Sequence, residues 1–269
     1  MTGSTFKDKV VVITGASSGI GRELACQLAG QGAWLSLAAR DVERLAKVRA
    51  ECQTRGGRAI PVQTDVSQQS QCESLIQETV KKYERIDVLV NNAGITMWAK
   101  FEDLQDLGLV EQIMRINFFG SVYCTHYALP YLKQTKGQIV AISSLTGKAG
   151  IPTRSAYAAS KHAMAGFFDS LRIEIAEYGV DVTTIYPDFV SSEVRERALG
   201  PDGLPLGTSP VREKEVMSAE TCAEMIIQAM EQRKRELIMS FRGRIGQWLK
   251  LIAPRVVDRI ALRAINQGR

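Results

Sequence analysis

The chain has 269 residues, 45% hydrophobic and 23% charged, with a formal net charge of +5. That mix excludes intrinsic disorder, and no run approaches the ~18 apolar residues a spanning helix needs. Five scattered cysteines without a C-x-x-C pair argue against a disulfide framework or a zinc site and favour a reducing compartment.

In chain order the pattern alternates strand and helix. The opening MTGSTFKDKVVVITG lacks a signal-peptide layout and enters a β-branched run, Lys9–Thr14, at once. A glycine-rich turn follows, then an amphipathic stretch to Leu28. Ala33–Ala39 is the second strand, followed by a charged helix to Cys52, which Asp41 is placed to cap. Arg58–Gln63 is the third, and Asp65–Tyr83 a helix with Ser67 as its expected N-cap. Ile86–Asn91, Gln138–Ser143, Asp181–Tyr186 and Glu236–Met239 supply four more strands. Helices are expected over about 110–132, 154–178 and 219–231. Continuously apolar strands separated by helices describe a parallel sheet covered on both faces, so the expectation is one doubly wound α/β domain over 1–240. Residues 188–217 are rich in Gly and Pro and read as a substrate loop or lid. Residues 241–269 read as a basic, amphipathic helical extension.

The segment Gly15-Ala16-Ser17-Ser18-Gly19-Ile20-Gly21 joins the first strand to the first helix. Glycines there permit a tight turn and let backbone amides approach a pyrophosphate. The second strand ends in Ala39-Arg40. An acid at its end would suit a ribose 2′-hydroxyl, whereas a guanidinium suits a 2′-phosphate, which favours NADP(H) over NAD(H). Arg22 is a second candidate phosphate partner. Tyr157 and Lys161 are four apart on an expected helix and share a face, where an ammonium can favour the phenolate form of a tyrosine.

Together these motifs resemble the short-chain dehydrogenase/reductase family over about residues 6–240. The likeness also rests on Asp65-Val66, Asn91-Asn92-Ala93-Gly94, Asn117, Ser144 and Pro187. It implies a Rossmann fold with a parallel seven-stranded sheet. It implies Tyr157 as general acid/base, Lys161 on the nicotinamide ribose, Ser144 on the substrate oxygen and Asn117 holding a water relay. Ser143 is the fallback for Ser144. Cofactor contacts are implied for Gly15, Ser17, Ser18, Gly19, Ile20, Gly21, Asp65, Val66, Asn92, Ala93, Gly94, Tyr157, Lys161, Pro187, Val190 and Ser192. Asp188 stands where the family commonly has glycine. His126, His162 and the cysteines read as structural, and Tyr186 as either core or substrate-facing.

The segment 95–101 and the 188–217 loop carry Met, Trp, Phe, Leu and Pro, a wall suited to a hydrophobic carbonyl or alcohol. The likeness is strongest to the hydroxysteroid dehydrogenase-like branch. A 3-oxoacyl thioester reductase and a non-enzymatic NADP(H)-sensing protein are the alternatives. No metal and no nucleic acid are expected. A homodimer or homotetramer on the helices carrying Asn117 and Tyr157 is implied.

Residues 233–269 hold ten Lys/Arg against two acids, so the basic charge belongs to the tail. Ile245, Trp248, Leu249 and Ile252 recur at helical spacing, Pro254 interrupts, and Arg255, Arg259 and Arg263 line a second segment. Over 243–266 this face either packs on the body or a partner subunit, or lies on an anionic membrane surface. The expected location is cytoplasmic, or peripheral at the inner face of a membrane.

Overall fold

The computed structural model describes residues 5–191, 196–208 and 216–266, with side chains to Arg263. Seven strands form one sheet: β1 (Val10–Thr14), β2 (Trp34–Ala39), β3 (Arg58–Gln63), β4 (Val88–Asn91), β5 (Gln138–Ile142), β6 (Asp181–Tyr186) and β7 (Glu236–Ile238). Their order is β3-β2-β1-β4-β5-β6-β7, and every pairing is parallel. The β-branched runs explain this arrangement. Val10–Ile13 are buried on both faces, as a central parallel strand requires. Pro61, which cannot donate to a ladder, sits in edge strand β3.

Helices α1 (Gly19–Gly30), α2 (Val42–Thr54) and α7 (Ala219–Glu231) cover one face, closing a core around Ile13, Leu24, Leu28, Leu35 and Ile226. Helices α3 (Gln69–Tyr83), α5 (Gly120–Thr135) and α6 (Ser155–Glu174) cover the other, around Leu75, Leu89, Leu132, Ile139 and Phe168. All five cysteines are buried within these layers.

Local signals account for most boundaries. Asp41 caps α2 by accepting from the Arg44 amide at 3.0 Å, and Ser218 caps α7 through the Thr221 amide at 3.0 Å. Two expectations need correction. Ser67 does not cap α3, which starts at Gln69 behind Gln68. The Ser67 amide donates to the Asp65 carboxylate at 2.9 Å instead, so Asp65 closes a turn that delays the helix. The single helix expected over 110–132 is two, α4 (Gly108–Met114) and α5, joined by a π-helical turn at Arg115–Phe119. Such wide turns cluster at functional sites, and this one holds Asn117.

Beyond the sheet, α8 (Phe241–Ile252) and α9 (Pro254–Asn266) pack on each other. The contact of α8 with the body is made at Gly243, against Leu145 and Ile238. Arg242 adds an ion pair to Asp188 at 3.0 Å, and the Lys250 ammonium donates to the Lys148 carbonyl at 2.9 Å. The apolar stripe of α8 faces away from the body: Phe241, Ile245, Trp248, Leu251 and Ile252 are all exposed.

Candidate active site

The strand order reverses at β1, whose neighbours β2 and β4 leave in opposite directions, and ligands bind in the crevice at that point. A cavity of about 1310 Å³ occupies it. At one end lies the turn after β1. Gly15 and Gly19 have φ of +66° and +54°, in the region that favours glycine. A Cβ on Gly15 would fall 2.9 Å from the Ala93 Cα, and one on Gly21 only 2.3 Å from the Gly15 carbonyl oxygen. Gly21 is therefore a packing glycine behind the loop, while Gly15, Ser17, Ser18, Gly19 and Ile20 line the cavity. Ser18, at the N-cap of α1, makes no side-chain cap bond, leaving the first-turn amides to a ligand.

The Thr14 hydroxyl accepts from the amides of Asn92 and Ala93, both at 3.0 Å. The Asn92 side chain donates to the carbonyls of Thr14 and Gly15. These bonds fix the ends of β1 and β4 together, with Ala93 and Gly94 on the cavity wall. Asn91 faces the core, donating to Thr125 at 2.9 Å. Ala39, Arg40, Asp65 and Val66 complete this half of the cavity. Arg44, one helical turn beyond Arg40, lines it too, a residue that reading the strand end alone passes over. Arg22 does not take part: it pairs with Glu23 and Glu51 at 2.5 Å each.

At the other end, the start of α6 and the turn after β5 bring Ser144, Tyr157 and Lys161 to the cavity wall. Ser144 hydrogen-bonds Tyr157 and accepts from the Thr146 amide at 3.3 Å. Ser143 turns inward, donating to the Lys161 carbonyl at 3.1 Å, so the geometry separates the adjacent serines. The Lys161 ammonium donates to the Ile142 carbonyl at 2.8 Å and lies 5.8 Å from the Tyr157 ring centroid. Burial pulls Lys161 down to about 7. Burial pushes the Tyr157 phenol up, against the Arg154 charge and the Ser144 hydrogen bond, which pull it down.

Asn117 is fully buried and does not reach the cavity. Its amide group holds the Ile95 backbone at 2.8 and 2.9 Å and donates to Ser160 at 2.9 Å. Ser160 in turn donates to the Tyr157 carbonyl at 2.7 Å. Asn117 thus ties the strand end after β4 to the Tyr157 turn of α6. Pro187, Asp188, Phe189 and Val190 line the near wall, and Ser192 lies outside the described residues.

The family model for short chain dehydrogenases matches residues 9–200. The chain belongs to the short-chain dehydrogenase family. A dehydrogenase/reductase SDR family protein 7-like from Dictyostelium discoideum is 36% identical over 95% of this chain and 81% of that protein. An 11-beta-hydroxysteroid dehydrogenase-like 4A from Arabidopsis thaliana is 39% identical over 93% of this chain and 82% of that protein. Among solved structures, an alcohol dehydrogenase from the archaeon Thermococcus sibiricus, complexed with 5-hydroxy-NADP, superposes with a TM-score of 0.77. It is 27% identical and covers 87% of this chain and 96% of its own. This is an oxidoreductase family, and its fold binds a nicotinamide cofactor.

The short-chain dehydrogenase frame leaves the substrate side to this chain's own residues, and here several expectations shift. Of residues 95–101, only Ile95 and Thr96 line the cavity. Met97 is core, Trp98 covers Arg154, and Phe101 is exposed. Tyr186 is core, beneath the Lys148 ammonium at 4.3 Å from its ring. His126 is not a packing residue but exposed against the edge of Tyr127, and His162 is exposed on the outer side of α6. In the 188–217 loop, Leu199 and Pro205 reach the cavity, while 192–195 and 209–215 lie outside the described residues. The tail supplies a wall that the sequence did not announce: Gly246, Val257, Ile260 and Ala261 also line it. The hydroxyls of Thr96 and Thr146, two residues of this wall, are buried without a hydrogen-bond partner among the described residues.

Proposed function

We propose that this short-chain dehydrogenase is an NADP(H)-dependent oxidoreductase. It moves hydride between the nicotinamide and the carbonyl or secondary alcohol of a hydrophobic substrate, with a steroid- or lipid-like ketone favoured. One observation carries the reading. A single cavity runs from Arg40 and Arg44 at one end to Ser144, Tyr157 and Lys161 at the other, with an apolar wall beyond. Two guanidiniums and no acid at position 39 suit a 2′-phosphate, and the Thermococcus sibiricus relative was solved with an NADP derivative. The bound cofactor supplies or accepts the hydride.

The rest is done by this chain's residues. The Thr146 amide fixes the Ser144 hydroxyl beside Tyr157, and when substrate is bound the serine O–H can be given to the substrate oxygen. Tyr157 donates its phenolic proton to that oxygen in reduction and takes it back in oxidation. Lys161 donates to the Ile142 carbonyl at 2.8 Å and more weakly to the Met164 sulfur at 3.5 Å, which leaves one N–H for the cofactor ribose. The apolar stripe of α8 and the basic tail support contact with an anionic lipid surface. Phe119, exposed at the edge of a ring cluster with Phe118 and Tyr123, supports a homodimer or homotetramer on this side.

The test is a panel of steroids, decalones, aryl ketones and acetoacetyl thioesters with NADPH consumption as readout. Tyr157→Phe should abolish turnover on every active substrate while NADPH still binds; retained turnover sinks the mechanism, and a preference for the thioester redirects the substrate. For the cofactor, Arg40→Ala should weaken NADPH about ten- to hundredfold, a charge-assisted contact of about 1.5–3 kcal/mol, and leave NADH unchanged. A wild type that prefers NADH refutes the assignment.

A further inference from the structure

Four residues before Tyr157, the chain does something that sequence motifs do not explain. Thr153 has φ of +67°, a conformation that a β-branched residue rarely adopts. The strained turn is held in place: the Ala99 amide donates to the Thr153 carbonyl at 3.0 Å, and the Arg154 amide to Ile151 at 3.3 Å. Its consequence is the direction of Arg154, which projects from the N-cap of α6 into the cavity wall and is only 7% exposed. There its guanidinium lies 4.3 Å from the Trp98 ring centroid, 5.5 Å from that of Phe189 and 5.9 Å from that of Tyr157. A cation is costly to bury, and three ring faces are a means of holding one.

We propose that Arg154 is a positioning residue for Tyr157. Its guanidinium, fixed by the Thr153 turn and the rings of Trp98 and Phe189, stabilises the phenolate through which the reaction passes. The inference rests on the proposed role of Tyr157. In reduction the phenol gives its proton to the substrate oxygen, whose carbonyl carbon has gained the hydride, and a phenolate remains. Alcohol oxidation starts from that phenolate. Of the described groups facing Tyr157, Ser144 is neutral, and Lys161 is bonded to Ile142. Asp188, from the turn after β6, is tied to Arg242 of α8. From the side of α4, Met97, Leu109 and Ile113 pack apolar surface against the ring's cluster. Arg154 therefore faces the Tyr157 ring from the N-cap of α6 as its nearest described cation beside Lys161.

The experiment titrates the tyrosinate absorbance of Tyr157, taken as the difference between each protein and its Tyr157→Phe counterpart. In Arg154→Met the midpoint should move to higher pH, and Arg154→Lys, which keeps the charge, should return it toward the wild type. In alcohol oxidation, the limb that rises with pH should move up in the same order. At neutral pH, kcat of Arg154→Met should fall about tenfold with little change in KM. An unmoved midpoint in natively folded Arg154→Met, or a Lys variant identical to the Met variant, overturns the proposal. The absorbance titration needs no substrate, so it fails or succeeds separately from the oxidoreductase reading.

Discussion

Lys161 shows how a single residue trades stability for chemistry. Its ammonium is buried with one carbonyl partner, and its titration falls from 10.5 to about 7. Between pH 7 and 10.5 the unfolded chain therefore carries a proton that the folded chain does not. The cost of burying the charge is full below pH 7, shrinks as pH rises, and is gone above 10.5. Stability of the cofactor-free protein should accordingly climb from pH 7 toward pH 10. Above that, the raised Tyr157 acts in the opposite sense, because the unfolded phenol ionises first. Lys161→Met keeps most of the side-chain volume and removes the charge. We expect it to raise the melting temperature at pH 7 by about 2 °C or more, with the gain shrinking toward pH 10, while turnover is lost. Thermal melts of both proteins across that range decide it: an equal or lower midpoint for Lys161→Met at pH 7 would show that the carbonyl contact outweighs burial.

At the level of elements, the body was legible where one force dominates. Buried β-branched runs such as Val10–Ile13 can only be central parallel strands, and α7 begins behind Ser218, a cap visible in the sequence. Ser67 misled because Asp65, two residues earlier, competes for its amide and delays α3. The π turn at Arg115–Phe119 leaves no composition signal, since it widens a helix without a proline or glycine at its centre. In the site, four-residue periodicity put Tyr157 and Lys161 on one face, and the family resemblance rather than spacing added Ser144. It could not show Arg154, whose direction depends on a positive φ at a threonine, nor the use of α9 as a cavity wall. Asp188 gains its reason only from the fold: its carboxylate receives Arg242 and pins the start of α8 beside the cavity.

For the whole molecule, the decisive feature is that one helical pair has two faces with different tasks. Val257, Ile260 and Ala261 close the cavity, while Trp248, Leu251 and Ile252 of α8 are 71%, 75% and 83% exposed. None of the described helices is long and apolar enough to cross a membrane, and the exposed stripe of α8 has the form of an interfacial contact. Each exposed side chain buried in the acyl boundary contributes about 1.5–3 kcal/mol, and each cation near an anionic surface about 1 kcal/mol. Arg244, Arg255 and Arg259 are exposed on the same pair. Such a surface would present the cavity to an apolar substrate dissolved in the bilayer. The protein should co-sediment with vesicles containing anionic lipid, more weakly with neutral vesicles and in high salt, and Trp248 emission should shift to the blue on binding. Replacing Leu251 and Ile252 by glutamate should weaken partitioning at least about tenfold without altering NADPH affinity, since neither residue lines the cavity. Vesicle binding that survives the double substitution would place the contact elsewhere. No sedimentation of the wild type, with a particle mass that falls on the same substitution, would show that α8 meets a second copy of the chain rather than lipid.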